Sequence, residues 1–437
     1  MFVSLQIMEQ KKKEIKFIDL FAGIGGIRLG LEQALTESGF KPKCVFTSEI
    51  KAHAIKVLTQ NHPNETITGD VTQVEASSIP DFDILCAGFP CQAFSAAGKR
   101  LGFTDTRGTL FFEVERILKE KKPKGFILEN VEGLVNHDKG NTLKTIISHL
   151  KDLGYKVNFK VLDSSLFGVA QQRKRIYIVG SFEGEISLDD FPVKEITLGD
   201  ILESGKPTSE SKFVKNLLSK YSIEELYGKS IKDKRGGSSN IHSWDIGLKG
   251  SISKDECCLL NQILTERRKK KWAEIIGIDW MDGMPLTTEQ IRSFFDRPNL
   301  QQMLDHLSDL GYLHYEHPKK LVKEETERGV STRRDPDESK PKGYNIVAGK
   351  LSFEINKVLS PEEITPTLVA MDMQKLYVGD NGGLRKLTLR EGLRLCGYPE
   401  SYKFDVSEKE GFDLLGNTVV VPVIKAVASR LIKNIYS

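Results

Sequence analysis

Apolar and polar positions follow two different periodicities along the first part of the chain. From Lys16 to about Gly180, short apolar runs are separated by longer segments with apolar residues at three- and four-residue spacing. The short runs predict buried strands, and the longer segments predict amphipathic helices. The predicted strands are residues 17–21, 44–47, 82–86, 125–128 and 175–179, and the clearest predicted helices are residues 108–122 and 141–153. This order predicts an α/β fold with a mostly parallel sheet covered by helices.

Beyond Gly180 the pattern becomes polar and charge-rich, with turn clusters at 235–240 and 333–339. Periodicity returns near Leu387, and residues 423–435 predict a closing helix. We therefore expect two domains.

The predicted catalytic domain covers residues 1–184 and is completed by 409–437, and the second domain covers 185–408. Inside the second domain, residues 255–320 contain two predicted helices followed by a predicted strand near 310–315. This order is compatible with a winged-helix-like insert.

Composition indicates a folded globular protein. The chain has 437 residues, of which 39% are hydrophobic and 28% charged. The longest conspicuous apolar run, 419–424, is far too short to cross a bilayer. The N-terminus has apolar residues before the lysines at 11–13, the reverse of the order in a signal peptide. We expect a cytoplasmic protein without a membrane contact.

Charge and cysteine spacing exclude little beyond metal and disulfide chemistry. The formal net charge of +3 is too balanced to indicate a nucleic-acid partner by itself. The six cysteines include no C-x-x-C pair, and the eight histidines lack ligand-like spacing. We expect neither a metal site nor a disulfide framework.

A glycine-rich turn follows the first predicted strand. Residues 19–26 read Asp-Leu-Phe-Ala-Gly-Ile-Gly-Gly and open a helix, whose N-terminus favours an anionic group. Arg28 stands where the dinucleotide fingerprint requires a third glycine, so pyrophosphate binding is disfavoured. Glu49 ends the next strand, where a carboxylate accepts hydrogen bonds from ribose hydroxyls. The pattern fits an adenosine without phosphates, such as that of S-adenosylmethionine; the alternative is an ordinary strand-to-helix turn.

Two further strand ends carry reactive side chains. Cys91 follows the strand at 82–86 in a loop, where parallel sheets place their sites, and Glu129 follows the strand at 125–128. The cations Lys99 and Arg100 follow in the same loop and favour a thiolate. Cys86, inside the strand, fits a buried apolar cysteine instead.

The chain resembles the DNA (cytosine-5)-methyltransferase family in four motifs that occur in that family's order and approximate spacing. They are residues 19–26, Gly88-Phe89-Pro90-Cys91-Gln92, Glu129-Asn130-Val131 and Gln171-Gln172-Arg173-Lys174-Arg175. Further matches are 385–391, 394–399 and Gly416-Asn417-Thr418-Val419. The resemblance covers about residues 16–180 and 360–437, and leaves the middle unmatched except for Thr367-Leu368.

The resemblance implies an S-adenosylmethionine-dependent (Rossmann-like) doubly wound sheet with a smaller target-recognition domain. By resemblance, Cys91 adds to cytosine C6, Glu129 neutralises N3, Arg175 contacts the cytosine O2, and Arg173 helps the loop hold the base or backbone. The implied cofactor residues are Asp19, Phe21, Gly23, Gly25, Gly26, Glu49, Ile50, Asp70, Asn417 and Val419. Many relatives have Trp where Ile50 stands, and a Gly-Asp turn such as that of Asp70 is common in any protein.

A cytosine inside a duplex must be flipped out before its C6 can meet a thiol, so a DNA cleft is required. Residues 92–105, with Lys99 and Arg100, are typical of a loop that closes over DNA. The basic run 267–271 with Trp272 is a candidate backbone-binding face, with plain solvation as the alternative. Loops around 235–244 or 370–383 are candidates for sequence readout.

Three other functions compete with this hypothesis. A tRNA cytosine-5 methyltransferase shares the fold and chemistry, but such enzymes have a shorter recognition region and Pro in place of Phe89. A catalytically inactive relative would be expected to have lost Cys91, Glu129 or Arg175, and all three are present. An NAD-dependent oxidoreductase is disfavoured because Arg28 replaces the third glycine of the dinucleotide fingerprint.

We predict a sequence-specific DNA (cytosine-5)-methyltransferase of a bacterial restriction-modification system. Its expected cofactor is S-adenosyl-L-methionine. We expect a cytoplasmic, nucleoid-associated monomer that acts on double-stranded DNA, with a cognate restriction endonuclease as a functional partner.

Overall fold

The fold is given by a computed structural model that describes residues 12–90, 110–233, 240–279, 283–326, 329–347, 353–370 and 372–437. The chain divides into two units. Unit 1 comprises Met1–Glu203, Pro361–Met373 and Leu387–Ser437, and unit 2 comprises Ser204–Ser360 and Gln374–Lys386.

Unit 1 is built on alternating strands and helices. In chain order these are β1 (Glu14–Leu20), α1 (Gly26–Glu37), β2 (Lys41–Ser48), α2 (Ala52–Asn61), β3 (Ile67–Thr68), β4 (Ile84–Ala87), α3 (Leu110–Lys121), β5 (Gly125–Val131), α4 (Asn141–Asp152), β6 (Lys156–Asp163) and β7 (Lys174–Ser181). They form a seven-stranded sheet in the order β3-β2-β1-β4-β5-β7-β6. Strands β1 to β5 pair in parallel, whereas β7 runs antiparallel to both β5 and β6. The predicted α/β fold with a parallel-rich sheet is confirmed.

Unit 2 follows with a mixture of short strands and helices. These are α5 (Lys212–Leu218), α6 (Ile223–Leu226), β8 (Ser230–Ile231), β9 (Asn240–Ile241), α7 (Lys254–Glu266), α8 (Lys270–Ile276), α9 (Thr288–Arg292), α10 (Leu300–Asp309), β10 (Leu313–Glu316), β11 (Lys319–Thr326), β12 (Gly329–Pro336), β13 (Gly343–Ile346), β14 (Lys357–Val358), β15 (Leu376–Asp380) and β16 (Gly383–Lys386). A five-stranded sheet in the order β16-β15-β14-β8-β9 lies over one apolar core, and α7 to α10 with β10 and β13 surround a second core.

The chain returns to unit 1 with α11 (Leu389–Leu395), α12 (Glu408–Asn417) and α13 (Val421–Tyr436). Helix α13 packs beside α1 in the main core, where Val427 and Leu431 are fully buried. Among the described residues, only Glu408–Tyr436 is long and apolar enough to cross a membrane, and 61% of its apolar window is buried inside the protein. Burial against the sheet explains why this C-terminal segment is apolar.

The units divide at other positions than the boundaries expected from the sequence, 184/185 and 408/409. Residues 185–203 and 387–408 belong to unit 1. Pro361–Met373 also belongs to unit 1, and backbone hydrogen bonds link it to residues 185–203: the Leu198 N–H donates to Glu363 O over 2.9 Å, and the Gly199 N–H donates to Pro361 O over 2.8 Å. The loose periodicity after Gly180 marks irregular chain that is still packed on the catalytic unit.

Candidate functional site

The turn after β1 is shaped by backbone geometry that favours glycine. Gly25 caps α1 with φ of 73°, in the left-handed region, and Phe21 is held at φ of 55°. At Gly26 a Cβ atom would lie 2.5 Å from the Tyr398 Oη and 2.6 Å from the Val419 Cγ2, closer than any side chain permits. Glycine is therefore required at 26 by close packing against Tyr398 and Val419 and favoured at 25 by conformation.

Glu49 is fixed against this turn by backbone donors. Its Oε2 accepts a hydrogen bond from the Gly23 N–H over 2.6 Å, and its Oε1 accepts from the Ile50 and Lys51 N–H groups over 2.8 Å each. Glu49 is 8% exposed, whereas the neighbouring Ile50 is 72% exposed. The carboxylate is thus preoriented at the end of β2, beside an apolar side chain that faces outward.

Asp19 is a buried carboxyl group behind the same turn. It is fully buried, and neither carboxylate oxygen has a hydrogen-bond partner among the described residues. Burial raises the pKa of Asp19 to about 8, and the nearby Arg28 charge opposes this shift only partly. A buried carboxyl group that Arg28 compensates only partly is costly to ionise, and a positively charged ligand at the turn would offset that cost. This observation fits a sulfonium- and ammonium-bearing cofactor.

Asp70 and Asn417, the two polar residues expected at the ends of the cofactor, are both exposed. The Asp70 carboxylate accepts from the Thr72 N–H over 2.9 Å and caps a short helical turn after β3. The Asn417 amide donates to Asp413 O over 2.8 Å at the end of α12. Each side chain is held in place locally before any ligand binds.

Two tyrosines that the sequence analysis left without a role hold the turn after β1. The Tyr402 hydroxyl donates to Ile24 O, and the Tyr398 and Thr418 hydroxyls are hydrogen-bonded over 2.6 Å. Both rings are buried, and their centroids lie 4.7 Å apart. The motif at 394–399 carries Tyr398, whereas no motif in the sequence analysis included Tyr402.

Gln171 and Arg173 face the interior instead of the substrate side. The Gln171 amide donates to Leu395 O over 2.9 Å and accepts from the Leu368 N–H over 3.1 Å. The Arg173 guanidinium donates to Leu368 O over 3.0 Å, to Gly416 O over 3.2 Å and to Thr418 O over 2.6 Å. Arg173 was expected to hold the base or the backbone of the substrate; in the structure its two terminal nitrogens donate to three carbonyl groups of the protein, and its buried Nε has no hydrogen-bond partner among the described residues.

Replacing Arg173 with Met should therefore destabilise unit 1 and weaken binding of the expected cofactor. Three buried carbonyl groups would lose a charged donor, and we expect the free energy of unfolding to fall by about 2–4 kcal/mol. The KM for the methyl donor should rise several-fold with a smaller change in kcat, because Thr418 and Val419 adjoin the Gly26 turn. Denaturant unfolding and steady-state kinetics measure both effects.

Arg430→Met is the matched control for this substitution, since Arg430 also donates to carbonyl groups, those of Asp189 and Asp190, but at the surface. Its unfolding free energy should change by less than about 0.5 kcal/mol. Arg173→Lys should recover part of the stability and of the KM. Equal effects of the two Met variants would contradict the positioning role.

The catalytic candidates Glu129 and Arg175 form an ion pair across β5 and β7. The Arg175 Nε lies 3.2 Å from the Glu129 Oε1, and both side chains are largely buried. Antiparallel pairing places Val131 opposite Arg175 and Tyr177 opposite Glu129. Glu129 and Arg175 are therefore diagonal neighbours on one face of the sheet. Burial raises the pKa of Glu129, while the Arg175 and Arg173 charges reduce this shift. A raised pKa favours the protonated acid, the form that can donate a proton.

Asn130 fixes the loop that leads to Cys91. The Asn130 amide donates to Phe89 O over 2.9 Å, and its oxygen accepts from the Val131 N–H over 2.8 Å. A Cβ atom at Gly88 would lie 3.8 Å from the Glu129 Oε2, so the end of β4 lies directly beside the acid. Cys91 itself lies outside the described residues, as do Lys99 and Arg100. Asn130 was quoted in its motif without a role, and only the fold reveals this contact.

An open cleft of about 610 Å³ lies next to the ion pair in unit 1. Its lining consists of Val131, Glu132, Gly133, Gln172, Lys174, Arg175, Pro366 and Thr367. Arg175 belongs to both the ion pair and the cleft, and the Thr367 hydroxyl donates to Gln172 O over 2.7 Å. The volume is adequate for a nucleotide base.

The basic run at 267–271 forms only part of the exposed cationic face considered from the sequence, because Lys269, Lys270 and Lys271 are exposed whereas Arg267 is buried. Arg267 is buried and donates to the Asn345 Oδ1 over 2.5 Å, and Trp272 is a 4% exposed core residue. Lys269 and Lys271 lie 2.5 and 3.5 Å from Glu266 carboxylate oxygens. Of the loop at 235–244, residues 235–239 lie outside the described residues and Trp244 is buried.

Comparison with known proteins gives one consistent result. The family model for C-5 cytosine-specific DNA methylases matches residues 15–433. The chain is 60% identical over 430 residues to the type II methyltransferase M.NlaIV of Neisseria lactamica, covering 97% of this chain and all of that protein. It is 58% identical to the type II methyltransferase M.NgoBV of Neisseria gonorrhoeae with the same coverage.

A solved structure shows the same fold at low identity. The Dnmt2 methyltransferase of S. pombe aligns with a TM-score of 0.52 and 17% identity, over 97% of this chain and all of that one.

Proposed function

The chain belongs to the C-5 cytosine-specific DNA methylase family and is a DNA (cytosine-5-)-methyltransferase of the type II kind, and on this premise we propose how it works and what it modifies. It transfers a methyl group from S-adenosyl-L-methionine to C5 of a cytosine flipped out of double-stranded DNA, within a short recognition sequence. Its role is to protect that sequence in a bacterial restriction-modification system. The observation that carries the mechanism is the buried Glu129–Arg175 pair beside the loop that Asn130 fixes ahead of Cys91.

Cytosine C5 is a weak nucleophile until the ring is activated. The Cys91 thiolate adds to C6, and the electron pair of the C5–C6 bond moves toward C5 and N3. Glu129, whose pKa is raised by burial, donates its proton or a hydrogen bond to N3 as negative charge develops there. Arg175 holds the Glu129 carboxyl group and presents a donor to the cytosine O2.

The second half of the reaction restores the base. S-adenosyl-L-methionine, when bound, would supply the methyl group that C5 takes up, and its methyl–sulfur bond would break to leave a neutral thioether. C5 then carries both the methyl group and its original hydrogen; loss of that proton to solvent and departure of the Cys91 thiolate from C6 regenerate the aromatic ring. Glu129 takes its proton back from N3 in this step, so the residue starts the next cycle as an acid.

The chain's own residues fit the cofactor. Glu49 holds the ribose hydroxyls, Phe21 and Ile50 enclose the adenine, and Asp70 binds its amino group. Asn417 and Val419 close the methionine side at the N-terminus of α1, beside the glycines 23, 25 and 26, and of these Gly23 has open space where a Cβ atom would lie. The unpartnered buried Asp19 supports a cationic ligand at this turn.

Unit 2 supplies the region between the two catalytic segments, which we assign to target recognition. Its length favours DNA over tRNA as the substrate, since tRNA-modifying relatives have a shorter region there. We propose that the enzyme acts as a monomer in the bacterial cytoplasm on chromosomal DNA, alongside a cognate endonuclease of the same specificity.

The test is transfer of a labelled methyl group from S-adenosyl-L-methionine into unmethylated bacterial DNA and, separately, into tRNA. We expect label in DNA alone, and base-resolution mapping should place every methyl group on cytosine C5 within one short sequence. Label in tRNA alone would replace the DNA proposal with the competing one. DNA from a host that expresses the protein should resist the endonuclease that cuts the mapped sequence.

A further inference from the structure

The carboxylate of Asp413, on α12, joins two segments of unit 1 that lie 360 residues apart in the sequence. Its Oδ1 accepts a hydrogen bond from the Asn417 Nδ2 over 3.1 Å, one helical turn further along α12. Its Oδ2 lies 2.9 Å from the His53 Nε2 and 3.3 Å from the Lys51 Nζ, at the start of α2. Asp413 therefore connects the segment that follows Glu49 to a residue expected at the other end of the cofactor.

The surroundings of Asp413 favour its ionised form. Burial by itself raises the pKa of Asp413, but the hydrogen bond from His53 and the charge of Lys51 outweigh that effect and hold the pKa below its ordinary value. An ionised carboxylate only accepts hydrogen bonds, so the nitrogen atoms of His53, Lys51 and Asn417 that face it are all donors. Asp413 is thus an acceptor toward both segments at neutral pH.

Helix α2 is a fixed support for this carboxylate. The Lys403 N–H donates to the Asn61 Oδ1 over 2.9 Å, and the Asp405 N–H donates to the Gln60 Oε1 over 3.1 Å. The two side-chain amides donate in return, Asn61 to Lys403 O over 2.9 Å and Gln60 to Asp405 O over 3.2 Å. These four hydrogen bonds fasten the end of α2 to the chain that leads into α12, and Asp413 adds a link at the start of α2.

The orientation of the Asn417 amide follows from its two partners. Its nitrogen donates to Asp413 O over 2.8 Å and to the Asp413 Oδ1 over 3.1 Å. Because both partners are acceptor oxygens, the nitrogen and not the oxygen of the amide must face them. The Asn417 Oδ1 has no hydrogen-bond partner among the described residues, and the side chain is exposed. The amide oxygen is therefore available to a ligand.

The backbone on either side of Asn417 is fixed from the interior of unit 1. The Arg173 guanidinium donates to Gly416 O over 3.2 Å and to Thr418 O over 2.6 Å. The Thr418 Oγ1 would lie 3.2 Å from a Cβ atom on the first residue of α1, so this stretch adjoins the N-terminus of that helix. Arg173 thus fixes the position of Asn417, and Asp413 fixes the direction of its amide.

From this arrangement we propose that Asp413 is a positioning residue for the methyl donor: it turns the Asn417 amide so that its oxygen accepts a hydrogen bond from the ammonium group of bound S-adenosyl-L-methionine. The inference rests on the proposed function, because it assigns a partner to one group of that cofactor. At the amino-acid end the ammonium group is a donor and the carboxylate only an acceptor, so an outward amide oxygen selects the ammonium group.

The ribose side of the cofactor site should not depend on Asp413. The Glu49 carboxylate is held there by three backbone N–H groups, those of Gly23, Ile50 and Lys51. Loss of the Asp413 side chain leaves all three in place. The effect of Asp413 should therefore be confined to ligands that carry the ammonium group.

The experiment measures binding of S-adenosyl-L-homocysteine to the full-length protein by calorimetry, beside its deamino analogue, which keeps the carboxylate and lacks the ammonium group. Asp413→Ala should weaken binding of S-adenosyl-L-homocysteine by about three- to tenfold, the effect of one hydrogen bond, and binding of the analogue by less than about twofold. Asp413→Asn keeps one acceptor oxygen and should recover part of the affinity. Asp405→Ala, the same change at an exposed position before α12, is the matched control and should bind both ligands as the parent does.

A double-mutant cycle tests whether Asp413 acts through Asn417. Asn417→Ala should weaken binding of S-adenosyl-L-homocysteine at least as much as Asp413→Ala does. Adding Asp413→Ala to Asn417→Ala should then cost less than about a further twofold, because the two residues act as one unit. In labelled-methyl assays Asp413→Ala should raise the KM for the methyl donor and leave kcat at the parent's level, as expected for lost binding that is equal in ground and transition states.

The outcomes separate the inference from the proposed function. Parent-like binding in Asp413→Ala, equal losses for both ligands, or additive losses in the double variant would each overturn the inference, even if the parent methylates DNA. Failure of the parent to bind S-adenosyl-L-homocysteine would overturn the proposed cofactor and the inference with it. Thermal melting without ligand checks that each variant is folded, and the nearly isosteric Asp413→Asn carries the same two-ligand comparison if Asp413→Ala is unfolded.

Discussion

Cys91→Ser should abolish methyl transfer to DNA while binding of S-adenosyl-L-methionine and of duplex DNA stays at the parent's level. A serine hydroxyl is far less acidic than a thiol and is a much weaker nucleophile toward C6. Loss of a nucleophile costs on the order of 10³ to 10⁶ in kcat, and we expect a loss of more than about 10³-fold. Labelled-methyl incorporation measures the loss, and equilibrium binding measures the two affinities.

A covalent complex identifies the nucleophile directly. On a duplex with 5-fluorocytosine at the target position, C5 carries fluorine after methylation and has no proton to lose, so the bond to the enzyme persists. The parent should shift on a denaturing gel and Cys91→Ser should not. Cys258→Ser is the matched control, because Cys258 is an exposed cysteine of α7. A shifted band with Cys91→Ser would show that another group adds to C6.

Glu129→Gln should be the second most damaging change. Gln keeps the shape of the side chain and can donate a hydrogen bond to N3, but it has no proton to give up. General acid catalysis contributes about 10² to 10⁴ in rate, so we expect kcat to fall by a factor in that range. Glu120→Gln, an exposed carboxylate on α3, is the control and should keep the parent's kcat.

The pH profile tests why Glu129 matters. An acid works while it is protonated, and its protonated fraction falls as pH rises through its pKa. Burial raises the pKa of Glu129, so the parent should stay active to a higher pH than an ordinary carboxyl group allows and then lose rate on the alkaline side. Glu129→Gln should lack that alkaline loss. An unchanged alkaline limb in the variant would assign it to another group.

Local pattern predicted five of the seven strands of the catalytic unit's sheet. The strands at 17–21, 82–86 and 125–128 were predicted because buried parallel strands are short continuous apolar runs. The strand β6 (Lys156–Asp163) was missed, since it is an edge strand with polar residues interspersed and Phe159 exposed. The two-residue strand β3 gives no periodicity to detect.

The sequence by itself determined the parallel-rich sheet, the reactive residues at strand ends and the family. These follow from chemistry and spacing that are local along the chain: Cys91, Glu129 and the glycine turn each lie within a short motif next to a strand.

Only the tertiary structure decided which hydrogen-bond partner each polar side chain reaches and which charged side chains are buried. It turned Arg173 inward to the carbonyl groups of Leu368, Gly416 and Thr418, buried Arg267 and Trp272 of the basic run, and set Asn130 against Phe89 O. The physical reason is that a side chain's hydrogen-bond partner can lie far away in sequence, 245 residues for Arg173 and Thr418. Charge and motif fix what a residue can do, but the fold fixes which partners it reaches.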